Sequence, residues 1–162
     1  MTADALPRGT RLVHDALTAA GFPDAADGIR MIPDGARTAA EAAAALGVEV
    51  GAIANSLIFV ADGEPLLVMT SGAHRVHEKR LAARIGAGAI ERATPEIVRG
   101  ATGQPIGGVS PVAHPSPVRT LVDAALERYP ELWAAAGTPH AVFPTTYADL
   151  VAMTGGEVVD VD

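Results

Sequence analysis

Residues Gly103 to Pro117 read GQPIGGVSPVAHPSP, rich in glycine and proline and almost free of ionisable side chains. A loop of this composition offers main-chain N–H and C=O groups to a ligand. Glycine permits close backbone approach and positive φ, while Pro105, Pro111, Pro115 and Pro117 stiffen the segment. Long connections in compact domains are usually functional, so the stretch reads as a recognition loop; the plain alternative is a surface connection. A second candidate is Asn55, within the apolar run Ile53 to Val60. A buried carboxamide left without partners costs on the order of 1–3 kcal/mol. Projecting into a pocket, it would present both a donor and an acceptor to a ligand; at a strand end, neighbouring backbone would satisfy it. The third is the one dense basic cluster, His74-Arg75-Val76-His77-Glu78-Lys79-Arg80. Its Arg75 and Lys79 are candidate phosphate contacts, set against an ordinary charged helix start.

Other chemistries lack their residues. The chain has no cysteine, which removes disulfides, thiolate metal sites and cysteine nucleophiles. His74 and His77, with His114 or His140, miss the H-E-x-x-H pattern, so they read as solvated surface histidines and no metal is expected. Ser110 in Gly108-Val109-Ser110-Pro111 lacks the second glycine of G-x-S-x-G. Gly103 to Gly108 matches neither G-x-G-x-x-G nor the P-loop, and no cofactor is expected.

These residues must be positioned by one domain. At 162 residues, 49% hydrophobic and 19% charged, the chain is globular, and with 4% aromatics its core rests on Ala, Val, Ile and Leu. A formal charge of −7 argues against a broad electrostatic grip on nucleic acid, DNA included, and leaves only local basic patches. The opening MTADALPRGT carries no apolar signal segment and no run is long enough to span a membrane, so a cytoplasmic protein is expected. Helical spacing predicts a helix from Gly9 to Ala20, and Thr38-Ala39-Ala40-Glu41 is a capping box for a second that ends at Gly47. In that box Glu41 reaches back to the cap. Ile53 to Val60 and Pro65 to Thr70, separated by Asp62-Gly63, form the strongest hairpin signal. Further helices are predicted over Glu78–Ile85, from the Thr94-Pro95-Glu96 cap to a stop at Gly100, and from the Thr146 cap to Thr154. Extended segments are expected at 89–93, 106–109, 118–122, 141–143 and 158–161, with 131–136 open between strand and helix. Mixed strands and helices without steady alternation indicate a single α+β domain around a mixed sheet.

The stretch from Thr38 to Gly47, the strand Ile53 to Phe59 and the segment Arg75 to Ala82 resemble, in this order, the YbaK/EbsC prolyl-tRNA-editing family. Gly107-Gly108-Val109-Ser110-Pro111 and Ala136 to Phe143 extend the resemblance, which covers 38–161, with 1–37 as an N-terminal helix and connection. It implies a mostly antiparallel sheet curled toward a barrel and flanked by helices. It also implies a trans-editing deacylase that hydrolyses the ester of a mischarged aminoacyl-tRNA at its 3′ end. The family's Gly-x-x-x-Pro loop falls on Gly107 to Pro111, whose backbone would hold the aminoacylated ribose, the ribose 2′-hydroxyl taking part in hydrolysis by water. By that carry-over Asn55, Gly107 and Gly108 are the catalytic candidates. Ser56, Val109, Ser110, Pro111, His140, Arg75 and Lys79 are the substrate-binding ones. The family's usual active-site lysine falls on Asn55, which supplies no charge, so a non-catalytic binder of an aminoacyl group, an aminoacyl-adenylate or a tRNA end is the alternative.

Overall fold

The structure, a computed structural model, describes residues 5–162. Residues 1–4, the start of the stretch expected to lack a signal segment, lie outside them. Helix α1 (Arg8–Ala19) buries Val13 and Leu17, the stripe that its periodicity marks. Two elements follow that are too short for a period to show: α2 (Pro23–Asp27), opened by its proline, and β1 (Arg30–Met31). Helix α3 (Ala39–Leu46) has the expected cap, Thr38 Oγ1 accepting from the Glu41 N–H at 3.1 Å. Glu41, however, accepts from the Arg37 N–H at 2.9 Å, one residue ahead of the predicted cap amide.

After a 3-10 turn at Val50–Ala52, β2 (Ile53–Ala61) and β3 (Glu64–Ser71) form the hairpin. Asp62 and Gly63 take φ of 50° and 85°, the positive values that a two-residue turn needs to match strand twist. Helix α4 (Glu78–Ile85) stops at left-handed Gly86, and β4 (Ile90–Arg92) follows. Helix α5 (Pro95–Thr102) runs through Gly100 and ends at Gly103, φ 72°. The expected stop is overridden because Val98 and Thr102 are buried, which holds the last turn helical. The remaining elements are β5 (Arg119–Asp123), a 3-10 turn at Ala124–Arg128, β6 (Leu132–Ala135), β7 (Ala141–Thr145), α6 (Tyr147–Thr154) and β8 (Glu157–Val159). Thus 131–136 resolves as strand, and the last strand ends before Val161. Ile106 to Val109, expected to be extended, is loop instead: Gly107 sits at φ 86° and the Gly108 N–H turns back to Pro105 O at 2.9 Å.

The strands make one mixed sheet in the order β1-β7-β6-β2-β3-β5-β8, with β4 also paired to β2. It is open and does not close into a barrel. Four pairings are antiparallel (β1·β7, β2·β3, β2·β4 and β6·β7), and three are parallel (β2·β6, β3·β5 and β5·β8). Both faces carry core. Ala54 and Ile58 pack with Leu67, Met69 and Phe143, while Phe59 packs with Leu66, Val68 and Leu121 on the other side. A third cluster joins Ile53 to Ala42, Ala43 and Val142, seating α3 over the start of β2. Strands buried on both faces read as continuous apolar runs, which is how β2 and β3 read in the sequence. Among the described residues no helix is long and apolar enough to cross a membrane.

Candidate active site

Strand β2 is bordered on one side by β3, and on the other by two short strands that do not meet. β6 pairs only with Ile53 and Ala54, and β4 only with Phe59 to Ala61. The sheet is therefore split beside Asn55, Ser56 and Leu57. Ile53 O accepts from Gly72 N on the β3 side, whereas Ile58 O accepts from Ala93 N on the open side. Antiparallel alternation then points the Ser56 main-chain N–H and C=O into the split. Neither has a main-chain partner there among the described residues.

A cavity of about 230 Å³ opens at this split. Its wall is built from α3 and the residues before it, the Asn55–Leu57 edge, the loop residues Ile106, Gly107 and Val109, and Trp133 to Val142 on the far side. The apolar part is mostly alanine: Ala36, Ala39, Ala42, Ala135 and Ala141. The half-buried Asn55 carries no side-chain hydrogen bond among the described residues, so its donor and acceptor are open. The Ser56 hydroxyl is turned away, 3.2 Å from the Met69 sulfur. Trp133, opposite Ile53 in the ladder, buries its indole N–H without an acceptor among the described residues. An orphaned donor of this kind costs about 1–3 kcal/mol.

The loop that closes the split is held from inside. Gln104, 5% exposed, accepts from the Ser110 N–H at 2.6 Å and donates to Val112 O at 3.1 Å. Thr102 Oγ1 accepts from the Gln104 N–H at 3.1 Å. His114 Nε2 lies 2.8 Å from Ser110 O, a bond that requires the proton on Nε2. Burial holds the His114 pKa below its ordinary value, partly opposed by that bond to the Ser110 carbonyl. A Cβ on Gly108 would stand 2.6 Å from the Thr138 main chain, so only glycine lets the loop lie against the Thr138–Pro139 wall.

Of the residues singled out in the sequence, Asn55, Ser56, Gly107 and Val109 line the cavity. Gly108, Ser110 and Pro111 are buried behind it and shape the loop. His140 is exposed, its Nδ1 3.3 Å from Ile32 O, next to the lining residues Thr138 and Pro139. Arg75 and Lys79 are exposed and outside the cavity lining. The cationic residues that do line it are Arg37 and Arg92, with no carboxylate beside them in the lining. Neither belongs to a basic cluster in the sequence, so composition gave no signal for them; only the fold brings them to Gly107. Arg37 Cα lies 3.8 Å from where a Gly107 Cβ would stand, and Arg92 shares a small adjoining cavity with Ile106 and Gly107. Ile106, 57% exposed, adds an apolar surface at this rim.

Two histidines depart from the solvated reading. His74 is half-buried, its Nδ1 3.0 Å from a carboxylate oxygen of fully buried Asp123, and His114 holds the loop. Among the described residues no group of His, Asp and Glu could hold a metal. A roomier cavity of about 620 Å³, between the β2–β3 turn and Pro115–Arg119, takes in the end of the candidate loop, Pro115 to Pro117, and none of the catalytic or substrate-binding candidates.

Comparisons with known proteins give the family and the fold. Residues 33–153 match the family model described as aminoacyl-tRNA editing domain. The proline–tRNA ligase of Nitratidesulfovibrio vulgaris strain DP4 is 40% identical over 93 residues, 57% of this chain and 16% of the ligase. That of Geobacter sulfurreducens is 30% identical over 131 residues, 75% of this chain and 23% of the ligase. The chain thus spans less than a quarter of the curated relatives it matches. A solved structure described as a candidate trans-editing enzyme for prolyl tRNA synthetase superposes with a TM-score of 0.91 at 41% identity, covering 98% of this chain and 99% of that one. A second, of a hypothetical protein, gives 0.83 at 30% identity, covering 93% and 98%. The chain belongs to the aminoacyl-tRNA editing domain family.

Proposed function

We propose that this protein is a trans-editing deacylase that hydrolyses the ester of a mischarged tRNA, acting in the cytoplasm on tRNAs charged by prolyl-tRNA synthetase. The observation that carries the reading is the split in the sheet. It exposes an Asn carboxamide and a main-chain edge to a small alanine-walled cavity, with two arginines at Gly107 whose side chains make no salt bridge among the described residues. Neither Ser110, which is buried, nor Ser56, which is turned to sulfur, is placed as a nucleophile, so water is the attacking group. Fixed dipoles and positioning then carry catalysis, and the cavity size selects a small amino acid side chain. The choice of prolyl tRNA is supported by the likeness to proline–tRNA ligases and to the candidate trans-editing enzyme for prolyl tRNA synthetase.

The second reading, a binder of the aminoacyl end that does not cut, is favoured by Asn55 standing where the family usually has lysine. One experiment separates them: release of amino acid from a panel of mischarged tRNAs by the wild type, Asn55→Ala and Asn55→Lys. Deacylation of at least one tRNA by the wild type, lowered in both variants, is expected. Tight binding with no release on any member of the panel would establish the binder. A gain of activity on Asn55→Lys would mark the wild type as a weakened enzyme.

A further inference from the structure

The split leaves one N–H and one C=O of the same residue, Ser56, side by side and, among the described residues, without a main-chain partner across it, continuing the line on which β4 pairs antiparallel with β2. An antiparallel partner residue fills such a position by presenting its own C=O and N–H across a single Cα. An aminoacyl ester carries that same pair: an α-ammonium and an ester carbonyl on one Cα. The cavity lining has no carboxylate to receive the ammonium, and its two charged side chains, Arg37 and Arg92, repel it. The acceptors that face the space are Asn55 Oδ1 and the Ser56 C=O, and of these the Ser56 C=O is the one with a main-chain N–H beside it, spaced for the ester carbonyl on the same Cα.

We propose that the aminoacyl group docks on β2 as a one-residue strand. Its α-ammonium donates to Ser56 C=O and its ester carbonyl accepts from Ser56 N–H. The inference rests on the deacylase reading and adds the group that receives the charge. As the oxygen of water bonds to the carbonyl carbon, the carbonyl electron pair moves onto the oxygen held by the Ser56 N–H. That pair returns as the bond to the ribose oxygen breaks, and the proton released by water ends on the departing ribose oxygen. Ester and water thus give acid and alcohol with no further reactant. Ser56 acts through its main chain, which is why its side chain is free to face Met69. Binding also requires the α-ammonium, so the substrates are esters of α-amino acids and not of the matching hydroxy acids.

The test uses the whole protein and the alanyl amide of 3′-amino-3′-deoxyadenosine, a stable analogue of the charged end. With the analogue saturating, hydrogen exchange of the Ser56 amide is expected to slow at least tenfold, while Leu57, already bonded to β3, stays unchanged. Resonance shifts at Gly107 and Ala135 without slowing at Ser56 would overturn the proposal, and so would an analogue that shifts no residue at all. Ser56→Pro removes the N–H that faces the split and leaves the β3 ladder intact, because edge positions tolerate proline. Folded Ser56→Pro is expected to lose about 10²–10³ in kcat, as for one oxyanion donor. An unchanged kcat would overturn the proposal, and if the variant fails to fold, the wild-type exchange measurement decides. Lactyl-tRNA should be hydrolysed at least tenfold more slowly than alanyl-tRNA, each relative to its uncatalysed rate; equal enhancement would remove the Ser56 C=O from the account. Failure of every ester to turn over would sink the deacylase reading, and the exchange measurement would still judge the docking.

Discussion

At the scale of single residues, the proposed reaction draws on hydrogen bonds and two cations rather than on a side-chain nucleophile. Asn55 has its carboxamide open to the cavity, so Asn55→Ala should lower kcat/KM about tenfold, the equivalent of one hydrogen bond of about 1.4 kcal/mol, measured as deacylation. Among the described residues the Arg37 and Arg92 side chains make no salt bridge at the cavity, Arg92 lying over the Phe59 ring, in a chain whose formal charge is −7. A guanidinium in that setting suits a phosphate of the RNA end. Arg37→Ala and Arg92→Ala should each raise KM with kcat nearly unchanged, and each should flatten the dependence of log(kcat/KM) on log[salt] by about one unit. Arg75→Ala and Lys79→Ala, outside the lining, should change KM less. Unequal legibility has a plain cause here. Asn55 is visible in the sequence because a polar residue interrupts an apolar run. Arg37 and Arg92 are single arginines on a helix entry and a short strand, where a charged residue is unremarkable until the fold brings both to Gly107.

At the scale of elements, the loop from Gly103 to Pro117 is a built wall. Gly108→Ala would set a methyl 2.6 Å from the Thr138 backbone, and overpacking of this kind costs about 1–3 kcal/mol, readable as a lower Tm together with lost deacylation. His114 adds a pH dependence. Its folded pKa lies below the ordinary 6.5 because burial favours the neutral ring, so the unfolded chain binds the proton more readily. The stabilisation is complete above pH 6.5 and is lost as pH falls through the lower folded value. Denaturant melts from pH 7 down to pH 4 should show this decline, and His114→Gln should reduce its slope. Most elements were legible because local signals agree: Thr38, Thr94 and Thr146 cap helices, Gly47, Gly86 and Gly155 end them, and Asp62-Gly63 sets the hairpin. The misreadings share one physical origin. At Gly100 and at Ile106 to Val109, the buried residues Val98, Thr102 and Gln104 overrule propensity, and no local rule contains them.

At the scale of the whole molecule, the α+β class and the mixed sheet follow from the alternation of helical and extended segments, but the strand order does not. β2 takes its neighbours from β3, β4 and β6, and β1 pairs with β7 across most of the chain. The split that makes the cavity is a property of that order, which is why no motif announces it. Phe143 on β7 is fully buried in the largest cluster, so Phe143→Ala should cost about 3–5 kcal/mol, measured by denaturant unfolding, and should empty the site along with the core. The far wall of the cavity, Trp133 to Val142, lies late in the chain, after Asn55, Ser56, the Gly107 loop and both arginines. During synthesis these groups are made before β6 and β7. On the proposed deacylase reading, the chamber is therefore the last part of the site to be completed, and no ester can be held in it until β6 and β7 have joined the sheet.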